Sequence, residues 1–279
     1  MDSAFTASHR GGRGAPMVCL HGIADTWRTW QLALPALERH HDVLAPTLPG
    51  HAGGPPIDGD AGTALLADAV ERAMDEAGFA TAHLVGNSLG GHLALHLAAR
   101  GRADTVVALA PAGGWAAGDD SFRDTLRQTA QVREAAWAAA PHADAIAATA
   151  EGRRRATRLI VSSADGIPAD LVAHLMRGAA GCDGLPALNA AALRDRWAVD
   201  AERIACPVRI VWGTGDRLLP WPAAAARYRA DLLPHADWVE LDGVGHCPQL
   251  EVPLETGELI LGLTAPGRSA IDAAPHGRG

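Results

Sequence analysis

Short apolar runs recur along the chain, each closed by a glycine or proline turn and followed by a longer stretch. The runs fall at 16–20, 42–45, 82–86, 105–110, 208–212 and 238–241. Their length, apolar content and flanking turns predict six buried strands. Between them lie segments of helical period. Trp27, Trp30, Leu34 and Leu37 share one face after the first run. Residues 61–78 predict an amphipathic helix, with Leu65, Ala69, Arg72 and Glu76 at three- and four-residue steps and Gly78 as its stop. An Ala/Leu-rich helix is expected to run from the turn at 87–91 to Arg100. Strands alternating with helical segments predict an α/β fold, a mostly parallel doubly wound sheet covered on both faces.

Residues 113–204 break the alternation. They are helical in period throughout and contain no strand signal, with Gly113-Gly114 and Cys206-Pro207 at the edges. The expected organisation is a core in two parts, 1–112 and 205–264, around a helical insertion at 113–204. The Gly/Pro-rich tail, 265–279, is expected to be disordered.

A length of 279 residues suits one such domain with an inserted lobe. With 48% apolar and 20% charged residues, wholesale disorder and fibrous folds are excluded. All 24 basic residues are arginine; against 32 acidic residues they leave a formal charge of −8, which argues against a nucleic-acid partner. The run Arg153-Arg154-Arg155, with Arg158, reads as a solvated helix face. No apolar window approaches a membrane span and no secretory leader is seen, so a cytoplasmic protein without membrane contact is expected. Four scattered cysteines suit neither a disulfide scaffold nor a metal site, and no cofactor is implied.

The chemistry concentrates at three places. Gly86-Asn87-Ser88-Leu89-Gly90 has the form G-x-S-x-G and sits between an apolar strand and a helix. That context lifts a serine hydroxyl on a tight turn, and the glycines leave room for neighbouring backbone. A serine needs a base. His246 lies on the Gly-rich loop after the last strand, in Leu241-Asp-Gly-Val-Gly-His246. The base needs an orienting carboxylate, and Asp216 follows the 208–212 strand. Asp119 or Asp120 is a weaker alternative, and Asp242 reads as a turn residue.

The order Ser88, Asp216, His246, with a nucleophile elbow, resembles the α/β-hydrolase family. His21-Gly22, Leu48-Pro49-Gly50-His51 and Gly213-Thr-Gly-Asp216 extend the resemblance from Pro16 to about Leu263. It implies an α/β-hydrolase sheet with an all-helical cap at 113–204. The N-terminal stretch is short for the usual leading hairpin, so the first strand or strands should be reduced. The resemblance also implies an oxyanion hole made by the backbone N–H groups of Ile23 and Leu89.

The expected activity is ester hydrolysis of a small-molecule substrate through an acyl-enzyme on Ser88. Hydrolysis of a carbon–carbon bond in a vinylogous diketone is an alternative. So are a lyase or perhydrolase reaction on the same triad, and a hydrolase-derived receptor without turnover. Trp115, Trp137 and Leu219 are candidate pocket residues. Cys247, beside His246, reads as inert packing.

Overall fold

The computed structural model describes residues 5–59, 61–195 and 197–265. The expected tail therefore lies almost wholly outside the described residues. Seven strands form one sheet: β1 (Ser8–Gly12), β2 (Ala15–Leu20), β3 (His41–Pro46), β4 (Ala82–Asn87), β5 (Ala103–Leu109), β6 (Val208–Gly213) and β7 (Asp237–Leu241). Their spatial order is β1-β3-β2-β4-β5-β6-β7, and every pairing is parallel except β1 with β3.

Six of the seven strands coincide with the apolar runs. β1 does not: Ser-His-Arg-Gly-Gly has no apolar residue to bury. It is an edge strand held by main-chain pairing to β3 (Ser8 opposite Pro46, Gly12 opposite Asp42), which leaves no hydrophobic trace. The leading strands are thus reduced, as expected, to one short antiparallel edge.

The helices alternate with the strands in the first half. The predicted helix around Trp27–Leu37 is shorter than its period suggested: a 3-10 turn at Trp27–Trp30, then a single turn, α1 (Leu34–Leu37). α2 (Thr63–Glu76) ends where expected. Gly78 has φ +80°, Phe79 N donates to Met74 O at 2.8 Å, and Gly78 N donates to Asp75 O at 3.0 Å. That paired closure satisfies the last carbonyls. α3 (Leu89–Ala99) is buried on almost every side because it lies against the centre of the sheet.

Between β5 and β6 the described chain makes only helices: α4 (Phe122–Ala139), α5 (Ala143–Ala148), α6 (Ala150–Thr157), α7 (Ala169–Ala180) and α8 (Leu185–Asp195), with 3-10 turns between some of them. α9 (Pro248–Glu251) and α10 (Pro253–Thr264) follow β7. No described helix is long and apolar enough to cross a membrane.

The apolar core divides across the sheet. Leu84, Leu93, Val106, Ile210 and Trp212 pack with α2, α3 and α8 residues on one face. Met17, Cys19, Val85, Val107, Val211 and Ile260 pack on the other. Alternate residues of β4, β5 and β6 thereby face opposite layers, both dry, as a doubly covered parallel sheet requires.

Candidate active site

β4 runs directly into the turn that carries Ser88. Ser88 has φ +56° and ψ −117°, a conformation disfavoured for a residue with a Cβ. Hydrogen bonds hold it there. Ser88 N donates to Leu109 O at 2.9 Å, and Ser88 O accepts from the amides of His92 and Ala112 at 3.0 and 3.1 Å. Two glycines make the turn possible. A Cβ on Gly86 would lie 2.1 Å from Gly90 O, and one on Gly90 would lie 2.2 Å from Leu20 O. Gly22 brings the loop after β2 against the same turn: a Cβ there would sit 3.3 Å from Ser88 Cβ.

β6 and β7 are adjacent and parallel, so the loops leaving their C-terminal ends meet. His246 Nδ1 donates to Asp216 Oδ2 at 2.7 Å, with both side chains enclosed. Asp216 Oδ1 accepts the amides of Leu218 and Leu219, each at 2.8 Å. With its proton drawn to Nδ1, the imidazole presents Nε2 as an acceptor. Nε2 is buried and has no protein partner among the described residues. The alternative acids go elsewhere. Asp119 caps Ser121 N, Asp120 pairs with Arg123, and Asp242 accepts from the Thr214 hydroxyl.

A buried polar network ties the serine turn to the histidine loop. Asn87 Nδ2 donates to His246 O at 2.9 Å and to Leu109 O at 3.2 Å. Asn87 Oδ1 accepts from Cys247 Sγ at 3.3 Å and Gln249 Nε2 at 3.2 Å. Burial pushes the Cys247 thiol well above its ordinary value, in keeping with inert packing. Glu251, on α9, accepts Gly245 N at 2.8 Å and the amides of Ser162 and Ser163 at 2.9 Å. Its carboxylate thus clamps the histidine loop to the segment after α6. Sequence reading missed Asn87, Gln249 and Glu251. The one available signal was a polar residue, Asn87, ending an apolar strand beside the serine.

Leu89 opens α3, so its amide has no carbonyl one turn back to receive it. Ile23 follows Gly22. Both residues line one narrow cleft of about 20 Å³, with Leu66 of α2, Leu188, Ala191 and Asp195 of α8, and Trp197. Trp197 is unusual three times over. Its φ is +53°, its ring stands edge-on to His92 at 5.1 Å, and its indole N–H is buried with no acceptor among the described residues. Near the same loop, burial pushes the Asp25 carboxyl up to about 6, against hydrogen bonds from Thr26 N and the Thr29 hydroxyl.

The three residues expected at the pocket lie outside this cleft. Trp115 is buried beside Phe122 with ring centroids 6.0 Å apart. Trp137 is 70% exposed on α4. Leu219 is buried, and its amide serves Asp216. None lines the cleft. Of the three only Trp137 lies on a helix, and helical spacing does not reveal which face of an inserted helix meets the core.

Residues 15–253 match the model of the alpha/beta hydrolase fold family. The chain belongs to that family. Among its relatives is the epoxide hydrolase EphH of Mycobacterium tuberculosis, 35% identical over 201 residues, covering 71% of this chain and 92% of the relative. Another is the pimeloyl-[acyl-carrier protein] methyl ester esterase of Aromatoleum aromaticum, 29% identical over 268 residues, covering 88% and 96%. Among solved structures, the 2-hydroxy-6-oxo-6-phenylhexa-2,4-dienoate hydrolase of Rhodococcus sp. strain RHA1 superposes with a TM-score of 0.71 at 20% identity, covering 91% and 92%. At that identity the α/β-hydrolase likeness is one of fold.

Proposed function

We propose that this α/β-hydrolase is a serine esterase acting on small carboxylic esters with a neutral acyl group. The observation that carries this reading is the Asp216–His246 hydrogen bond with its bare, buried Nε2, on a loop that Asn87 ties to the strained Ser88 turn. In the proposed cycle, Nε2 takes the Ser88 proton as Oγ attacks the ester carbonyl. The amides of Ile23 and Leu89 bind the oxyanion. His246 then returns the proton to the leaving alkoxide. Water activated by His246 releases the acyl group and restores Ser88. Asp216 holds the ring and balances the imidazolium.

The cleft beside the two amides supports a neutral acyl group. Asp195, paired with Arg194, is the only charged residue among the described residues that line it, so no described lining residue offers a cation to an acidic substrate. This argues against the carbon–carbon reading, whose substrates carry a carboxylate. At about 20 Å³ the cleft has room for about one water, so an acyl chain enters only as the helices above it move, and short chains ask least of them. We assign the helices of 113–204, α8 foremost, the role of a cap over this cleft. The unpaired indole N–H of Trp197 fits an acceptor oxygen on the substrate.

The methyl ester esterase relative points the same way. The epoxide hydrolase relative raises another chemistry, which Ser88 does not suit. A serine oxygen opening an oxirane would leave an alkyl ether that activated water does not cleave. Nor is the single tyrosine placed to protonate an oxirane oxygen: Tyr228 is buried and donates to Ala112 O at 2.7 Å.

The test is a chain-length series of p-nitrophenyl acetate, butyrate and octanoate beside a coloured vinylogous diketone acid. Turnover falling with chain length, and none on the diketone acid, is expected. Preferential turnover of the diketone acid would overturn the ester assignment. Acylation that stops after one equivalent would favour the receptor reading.

A further inference from the structure

Away from the cleft, α6, the segment after it and the loop after β6 border an open hollow of about 380 Å³. Arg154, Arg155 and Arg158 reach it from α6 and its C-cap. Arg217 reaches it from the loop that begins at Asp216. Among the described residues that line it Glu151 is the only acidic one, and it pairs with Arg154 at 3.0 Å. Arg217 Nη1 donates to Arg158 O at 3.0 Å, an acceptor that carries no full charge. Among the described residues the Arg155 and Arg158 side chains have neither a carboxylate nor a hydrogen-bond partner.

Four guanidinium groups and one carboxylate leave an excess of three positive charges, on a chain of formal charge −8. The C-terminal end of α6 favours cations in its last turn, which accounts for Arg154 and Arg155. It does not account for Arg217, which comes from a different part of the chain to the same hollow. Like charges gathered in a concavity repel unless an anion joins them. The volume lies in the range of small-molecule sites, about 300–1,000 Å³. The guanidinium fork matches the paired oxygens of phosphate, and several forks around one hollow suit an anion of more than one charge.

We propose that this hollow binds a small, multiply charged phosphate compound, held by Arg155, Arg158 and Arg217. The site is separate from the cleft beside Ile23 and Leu89 and stands independently of the ester reading.

Calorimetric titration of the full chain with inorganic pyrophosphate tests it. Wild type should bind one equivalent saturably, with affinity falling as salt rises. R155A/R158A should weaken binding by at least about tenfold, as should R217A, since each removes charge-assisted contacts. R123A, on another helix, should bind like wild type. All these arginines are exposed, and thermal melts of the variants should overlay wild type. Absence of saturable binding by wild type would overturn the proposal, and so would wild-type affinity in R155A/R158A and in R217A.

Discussion

At Ser88 the backbone holds a conformation that costs of order 1–3 kcal/mol, and flanking hydrogen bonds and two glycines over-determine it. Replacing the hydroxyl leaves that turn in place. S88A should therefore melt like wild type while kcat on p-nitrophenyl acetate falls by about 10³-fold or more. D216N tests the partner. An amide can present its NH₂ to Nδ1 and force the wrong tautomer, so kcat should drop by about 10⁴-fold with KM little changed. Comparable activity in D216N would remove Asp216 from the account. The three residues proposed as nucleophile, acid and base could be picked out because each follows a recognisable strand. Trp197 was not legible: its value lies in a backbone angle and an unpaired N–H, neither of which leaves a sequence pattern.

Among the elements, the clamp made by Glu251 shows how α9 reaches the chemistry without touching it. Its carboxylate gathers three amides from the histidine loop and the segment after α6. E251A should free the His246 loop and lower kcat by about tenfold or more, and E251Q, which keeps an acceptor oxygen, should recover part of that loss. Equal kcat in E251A and wild type would show that the loop needs no clamp. A side chain that serves backbone amides is invisible to periodicity, which is why the sequence did not single out Glu251. β1 escaped for a related reason, since main-chain pairing holds a strand with nothing to bury. The inner strands were plain because a parallel sheet covered on both faces writes its position in apolar residues.

Across the whole molecule, buried histidines set the acid limit of stability. Burial lowers His51 and His174 to about 4 and His92 to about 3, from an ordinary 6.5. These rings are neutral in the fold, whereas the unfolded chain binds protons below about 6.5. Their contribution is complete above that pH and is lost as pH falls toward 4, each group costing about 1.4 kcal/mol per pH unit. Asp25, raised to about 6 from 3.8, works in the opposite direction over its own interval, but it is one group against these three and His21, which burial also lowers well below its ordinary value. Tm should fall steeply between pH 6.5 and 4, and H51N should flatten the slope. A Tm constant over that range would contradict the buried-neutral assignment. None of this was legible beforehand: the sequence shows 13 histidines without showing which are enclosed.

At the same scale, intact-protein mass spectrometry after exposure to a fluorophosphonate, with peptide mapping, reads the central claim directly. The account predicts one adduct per chain on Ser88, none in S88A, and much slower labelling in H246A. An unlabelled wild type, or an adduct that persists in S88A, would contradict it.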